Sequence, residues 1–436
     1  MDFEKKKKQR IDNRCSYIHP NKSNKQCGLQ VRKGQIYCFA HINKVESSSQ
    51  KEIDISKQRS NGQLIKRVVC PVDPTHTVWE NRLIKHLKIC NAVKEKLEIK
   101  HKEETCEWFS VNYNLQDVDA TCELLELPIN ENDWREFTNE VTTKYDKMFS
   151  HELTLEDGKY IKGLETRLEE VSNQKHILQQ SSLIQKLIDN DLICNDAVII
   201  EFGCGRAEFS RYHNKAMTEI FKDCNKYRPQ YLLVDRAVPR LKFDKKMVAD
   251  MEELKIENSE IRRLKVDIKD LKLAESLKAF KSHNFIGISK HLCGVATDLT
   301  LRCLLNTVED TPELNFKGCV IAMCCRHCCK YEWLLEDSKD YLKKFGINRL
   351  NFVYFRKMFA WATNGIRSGV PSDVVGGHHS LLSHQQREIV GLKMRRILDE
   401  SRKYAMEKRG FDVKIVRYID RSISLEDNCI IIKKKI

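Results

Sequence analysis

Eight cysteine and histidine residues in the first hundred positions fall into two sets of four. Cys15, Cys27, Cys38 and His41 are separated by eleven, ten and two residues, and Cys70, His76, His86 and Cys90 by five, nine and three. Four soft or borderline donors are the number that closes a tetrahedral structural Zn2+ site and leaves no position open for chemistry. His86 and Cys90 stand four apart, which puts both on one face of a helical turn. His19 competes for the first site, but the tight spacing of Cys38 and His41 favours His41. Segments of about 25 residues bury too little apolar surface to fold alone, so zinc binding has to supply what a core cannot.

A second group of residues surrounds AVIIEFGCGRAEFS, where an apolar run ends at Glu201 and Phe202 and the pair Gly203, Gly205 turns the chain toward a helix. Small residues at such a turn let backbone approach a ligand that side chains would keep away. The pair gains meaning from YLLVD, ending at Asp235, and RLKVD, ending at Asp267. A carboxylate at the end of the second strand is placed to accept hydrogen bonds from ribose hydroxyls. Ala207 holds the third small position, a less open helix start than a dinucleotide pyrophosphate wants, which favours S-adenosylmethionine over NAD. The expected cofactor residues are therefore Glu201, Gly203, Gly205, Asp235 and Asp267, each acid having a plainer alternative as a helix cap or surface ion pair.

A third group follows two further apolar runs. FIGIS leads into Lys290, His291, Leu292, Cys293 and Gly294, and CVIAM into Cys324, Cys325, Arg326, His327, Cys328 and Cys329. Residues just beyond the carboxyl ends of parallel strands line the ligand crevice of an open sheet. The thiols could hold a further metal, although adjacent cysteines seldom both reach one ion, and lining of the site is the simpler expectation.

All these residues need a scaffold, and the pattern supplies one. AVIIEF, YLLVD, RLKVD, FIGIS and CVIAM alternate with helical segments, the mark of a parallel sheet buried on both faces; FDVKIVRYI and CIIIKKK, close together, predict an antiparallel hairpin at one edge. The expected fold is α/β, a class I methyltransferase-like, Rossmann-like doubly wound sheet with a C-terminal antiparallel hairpin, preceded by two small zinc modules. The expected boundaries are 10–45 and 65–95 for the modules, 100–160 for an acidic linker with pieces that dock, and 161–436 for the sheet domain. Residues 45–61 read as a flexible tether and 163–187 as one helix leading into the large domain.

Charge supports this division. Residues 1–100 hold 22 basic against 10 acidic side chains, residues 101–160 hold 5 against 15, and the whole chain carries +14. Two basic bodies flanking an acidic connector suit a polyanion such as nucleic acid, or equally a well-solvated surface. The 41% hydrophobic content excludes wholesale disorder. No run of 18 apolar residues and no signal-peptide core are visible, and 18 cysteines spread over 436 residues are unlike a disulfide framework. An intracellular protein without a membrane anchor is expected, in the nucleus and/or cytoplasm. Oligomeric state is not legible, and no obligate protein partner is evident.

The Cys70, His76, His86, Cys90 set resembles the CHHC finger of a minor-spliceosome protein and of the eukaryotic tRNA acceptor-stem 2′-O-ribose methyltransferases; the preceding CCCH set resembles the finger found before it in the latter. KHLCG with VATDLTL, and CCRHCC with KYEW, look like motifs of the same methyltransferases. The resemblance covers nearly the whole chain and is weakest in the acidic connector. It implies methyl transfer from S-adenosylmethionine to a ribose 2′-hydroxyl at the fourth nucleotide of a tRNA acceptor stem. A 2′-hydroxyl is a poor nucleophile that needs alignment and help in losing its proton. Lys290 or His291 would take or polarise that proton, with His327 and Arg326 holding the ribose or a phosphate; a lysine would have to be neutral. Farther on, His378, His379 and His384 precede a basic helix in which Arg387, Lys393, Arg395 and Arg396 are candidate phosphate contacts or a solvated face. Two other functions fit the same residues: a noncatalytic zinc-finger RNA-binding adaptor, and an RNA base methyltransferase in which Cys293 or Cys325 attacks a pyrimidine. Against the latter, the loops lack the usual Pro-Cys pair.

Overall fold

Short runs rich in Val, Ile and Leu assemble into one seven-stranded sheet in the computed structural model, which describes residues 14–19, 25–27, 29, 31, 36–38, 56–58, 64–118, 130–224, 226–256, 259–363 and 380–435. Its strands are β1 (Val198–Phe202), β2 (Gln230–Asp235), β3 (Glu260–Lys265), β4 (Asn284–Cys293), β5 (Asn315–Cys324), β6 (Phe411–Arg417) and β7 (Asn428–Lys434). The spatial order is β6-β7-β5-β4-β1-β2-β3. β1 to β5 run parallel, while β7 pairs antiparallel with β5 on one side and with β6 on the other. The chain builds outward from β1 through β2 to β3, then returns to place β4 on the other flank of β1. That reversal opens a crevice at the carboxyl ends of β1 and β4. This is the class I methyltransferase arrangement with a C-terminal antiparallel hairpin.

Helices close both faces of the sheet. Here α1 is Glu131–Met148, α2 Lys175–Asp189, α3 Glu208–Ile220, α4 Asp244–Glu253, α5 Val295–Asp310 and α6 His384–Lys408. One core joins Leu183 and Leu187 of α2, Phe209 and Met217 of α3 and Met247 and Met251 of α4 to alternate strand residues Ile199, Leu233, Ile288 and Val320. The other set of strand residues, including Ile200, Leu232, Ile321 and Ile430, is equally buried, so the central strands are apolar on both sides, while the edge strands β3 and β6 carry exposed charges. A separate cluster seats α1 through Trp134, Phe137 and Val141 against Phe355, Met358 and Trp361, with Trp134 stacked on Trp361 at 5.6 Å. A docking piece thus lies within the acidic stretch.

Three expectations change. β4 and β5 do not stop at FIGIS and CVIAM: parallel pairing continues past a register shift to Met323 with Leu292 and Cys324 with Cys293, so Lys290 to Cys293 belong to the strand itself. The helix expected over 163–187 is two, Glu165–Glu170 and α2. Val171 is extended, and the Asn173 side chain accepts from the Lys175 amide, offering the backbone an alternative to continuing the helix. The tether is not uniformly irregular, since Ser56–Gln58 pairs antiparallel with Leu64–Lys66.

The chain divides into two units, Met1–Glu104 and Thr105–Ile436. The first contains a three-stranded sheet of Ser56–Gln58, Leu64–Val69 and Thr77–Trp79, followed by the short helix Leu83–Leu87. Among the described residues, no helix is long and apolar enough to cross a membrane.

Candidate active site and metal centres

The turn after β1 is built around a close approach. Gly203 has φ +66°, and a Cβ there would sit 2.8 Å from the His291 carbonyl oxygen. Only glycine combines that backbone angle with that contact, and the result locks the end of β1 against the end of β4. A Cβ on Gly205 would meet nothing within 4 Å, so this part of the turn faces open space.

Neighbouring strand ends hold the turn. The Gly205 amide donates to Asp235 Oδ2 at 2.8 Å, and the Ala237 amide donates to the other oxygen at 2.9 Å. Val266, just after β3, donates its amide to the Asp235 carbonyl oxygen, bringing Asp267 alongside. The Asp267 carboxylate caps the next turn through the Lys269 amide, 3.1 Å away. From below, Arg263 of β3 donates to the Gly205 carbonyl at 2.8 Å and to Cys204 Sγ at 3.0 Å, while Asp244 accepts from two guanidinium nitrogens at 2.7 Å each. Sequence reasoning passed over Arg263. Its one local signal was an arginine pair in a strand otherwise read as buried.

Glu201 lies elsewhere. It is buried beneath the turn, where its Oε2 accepts from the amide and the hydroxyl of Ser210, anchoring the first turn of α3. Burial pushes its carboxyl up to about 7, against the opposing pull of Ser210, Arg263 and Lys290.

At the end of β4, Lys290 is 9% exposed, and its amine lies 2.9 Å from Nδ1 of His176, in the first turn of α2. Burial lowers the lysine pKa, and the lysine charge, followed by burial, lowers that of His176. His291 is more accessible; burial, then the charge of Lys290, then His176, push its pKa down. The strand ends therefore bring Gly203, Gly205, Asp235, Asp267, Lys290 and His291 to the carboxyl end of the sheet, and add His176, which no spacing pattern pointed to.

The loop after β5 divides its residues. His327 is exposed, with no side-chain partner among the described residues. Arg326 is not available to a phosphate: it is fully buried, paired with Asp399 at 2.8 and 2.6 Å, and further bonded to the Met323 carbonyl and Glu426. A buried guanidinium requires this pairing, and the pairing consumes it. The basic helix α6 is corrected likewise. Arg395 is buried on Glu426, Lys393 pairs with Asp146 at 2.6 Å, and Arg396 bonds to Glu400 and the His151 carbonyl. Arg387 alone of the four has no ion pair among the described residues. His378 and His379 lie outside the described residues. A cavity of about 240 Å³ borders α6, lined in part by Phe149, Arg396, Arg417 and Arg421 rather than by the glycine turn.

Both zinc sets are assembled as far as they are described. The donor atoms of Cys70, His76, His86 and Cys90 lie within 4.8 Å of one another. Nε2 of His76 is 3.0 Å from Nε2 of His86 and 3.8 Å from Cys90 Sγ. Asp73 Oδ2 stands 3.0 Å from Nδ1 of His76, orienting the ring as carboxylates do behind zinc-bound histidines. Cys15, Cys27 and Cys38 are buried and converge in the same way, with the Cys38 amide donating to Cys15 Sγ at 3.1 Å. His41 lies outside the described residues. Convergent thiol and imidazole donors fit two structural zinc ions.

Residues 67–91 match the family model of the U11-48K-like CHHC zinc finger, and residues 178–433 match that of Methyltransferase TRM13. The chain belongs to the Methyltransferase TRM13 family. Its sheet is thus that of an S-adenosylmethionine-dependent methyltransferase. The protein named tRNA:m(4)X modification enzyme TRM13 of Yarrowia lipolytica is 36% identical, over 97% of this chain and 90% of its own length. Its namesake in Saccharomyces cerevisiae is 33% identical, over 97% and 96%. Among solved structures, the plantazolicin methyltransferase BpumL in complex with SAH aligns over 70% of this chain and all of its own at 10% identity and a TM-score of 0.27. That likeness is too slight to carry the fold, which rests on the strand order.

Proposed function

We propose that this methyltransferase acts on tRNA, transferring a methyl group to a ribose 2′-hydroxyl of the acceptor stem at the fourth nucleotide. The observation that carries the reading is the match, along nearly the full length, to relatives named as tRNA:m(4)X modification enzymes. S-adenosylmethionine would supply the electrophilic methyl group. Gly205 leaves space for it, and Asp235 and Asp267 would accept hydrogen bonds from its hydroxyls and adenine amine.

His291 is the proposed general base. Its carbonyl abuts the cofactor turn, its ring is accessible, and the lowered pKa leaves it neutral and able to accept the hydroxyl proton at pH 7. Lys290, held by His176, would keep that ring deprotonated by its charge. His327, exposed on the loop after β5, would contact the RNA, as would the basic surface of the finger unit. Action in the nucleus and/or cytoplasm follows from a tRNA substrate.

Transfer of labelled methyl groups to total tRNA, followed by nucleoside analysis, tests this reading. A 2′-O-methylnucleoside is expected; a base-methylated product would overturn the chemistry. Failure of folded, zinc-loaded protein to bind S-adenosylmethionine in a calorimeter would favour the noncatalytic adaptor.

A further inference from the structure

Sulfur atoms of Cys293, Cys324 and Cys325 lie within 4.8 Å of one another, outside both zinc modules. Cys293 and Cys324 are register partners at the ends of β4 and β5, and their sulfurs are 3.5 Å apart. A zinc ion with Zn–S bonds of about 2.3 Å sets tetrahedral S–S edges of about 3.8 Å. The same spacing recurs in the first finger, where Cys27 and Cys38 stand 4.0 Å apart.

The backbone is shaped to bring these thiols together. Adjacent cysteines normally diverge, but Cys325 adopts φ +45°, turning the chain so that its sulfur joins that of Cys324. Glu426 Oε1 accepts from the Cys325 amide at 3.2 Å, holding that turn. Opposite, a Cβ on Gly294 would lie 2.5 Å from Cys328 Cβ and 3.0 Å from the Cys325 carbonyl oxygen, so only glycine lets the two loops approach this closely. A left-handed non-glycine residue and a glycine-only contact flank one three-thiol cluster, a costly arrangement for ordinary packing.

We propose that Cys293, Cys324 and Cys325 bind a third zinc ion, with water at the fourth corner. His291 stands beside this site, its Nδ1 4.0 Å from Cys324 Sγ, without joining the convergent set. The ion would staple the ends of β4 and β5 directly beneath the residues that border the cofactor turn.

Metal content of the full-length chain, measured by mass spectrometry after exhaustive removal of loosely bound ions, tests the site. Cys293→Ser, at an exposed position, should carry one zinc fewer than the wild type while its circular dichroism is unchanged. Cys325→Ala should behave alike, Cys328→Ala should lose none, and combining Cys293→Ser with Cys70→Ser should remove two. Cobalt(II) substitution should give a sulfur-to-metal charge-transfer band that weakens in Cys293→Ser. Equal zinc content in the wild type, Cys293→Ser and Cys325→Ala would overturn the proposal, as would a cobalt spectrum indifferent to both substitutions.

Discussion

Lys290 Nζ stands 2.9 Å from His176 Nδ1, joining the end of a central strand to the first turn of a helix 114 residues earlier in the chain. The contact makes the amine a charge that both nearby imidazoles feel. Lys290→Met keeps the volume and removes the charge. The His291 pKa should then rise toward the ordinary histidine value of about 6.5. Since the base acts when neutral, the acid limb of the kcat profile should move to higher pH. His291→Ala should lower kcat by roughly 10²–10⁴ on the plateau above the acid limb, the difference shrinking as pH falls below it. An acid limb unmoved in Lys290→Met would remove His291 from the role of base.

Asp235 accepts from the Gly205 and Ala237 amides and so shapes the turn after β1, besides being the proposed acceptor for the cofactor's hydroxyls. Losing hydrogen bonds to a charged acceptor costs about 1.5–3 kcal/mol, so Asp235→Ala should weaken S-adenosylmethionine binding at least tenfold with the fold intact. Isothermal calorimetry reads this directly, and unchanged affinity would exclude Asp235 from the site.

Glu201 keeps its proton up to about pH 7 in the folded chain. An unfolded glutamate loses it near about 4.3. Between those values the native state binds more protons, so stability falls as pH rises through the window. Its contribution is complete below the unfolded pKa and gone above about 7. Glu201→Gln should flatten this slope, worth on the order of 3 kcal/mol. Melting temperatures of both proteins at pH 5 and pH 8 would show it; parallel curves would mean that Glu201 does not titrate here.

Arg326 is paired with Asp399 where neither side chain reaches solvent. Arg326→Met removes the two short bonds to the buried Asp399 carboxylate, leaving it the longer contacts to Arg402 at 3.5 Å and Asn428 at 3.2 Å, and should destabilise the chain by about 3 kcal/mol. The folded fraction should bind tRNA as the wild type does. Unchanged melting with weakened tRNA binding would return Arg326 to the RNA surface.

Much of the fold was legible in local pattern. β1 and β2 lie where AVIIEF and YLLVD were read, because a strand apolar on both faces writes itself as a continuous hydrophobic run. The ends of β4 and β5 were misjudged because Lys290, His291 and Cys324 look like loop chemistry, while the strand runs on through the irregularity at Lys290 and His291 and pairs again at Leu292 and Cys293. The basic face of α6 was misjudged for a related reason. Composition shows that Arg395 and Arg396 are cations, but not that Glu426 and Glu400 pair with them.

What the sequence by itself determined was the set of parts: the strand-turn-helix at Gly203, the carboxylates ending β2 and following β3, and the donor types of the two zinc modules. These are written in spacings of a few residues, set by strand and helix periods and by the coordination number of zinc. The tertiary structure alone decided which charges turn inward, that His176 meets Lys290, that Arg263 grips the cofactor turn, and that three cysteine sulfurs converge between β4 and β5. Those depend on which strands become neighbours and on what burial forces into pairs, neither of which leaves a mark on adjacent positions in the chain.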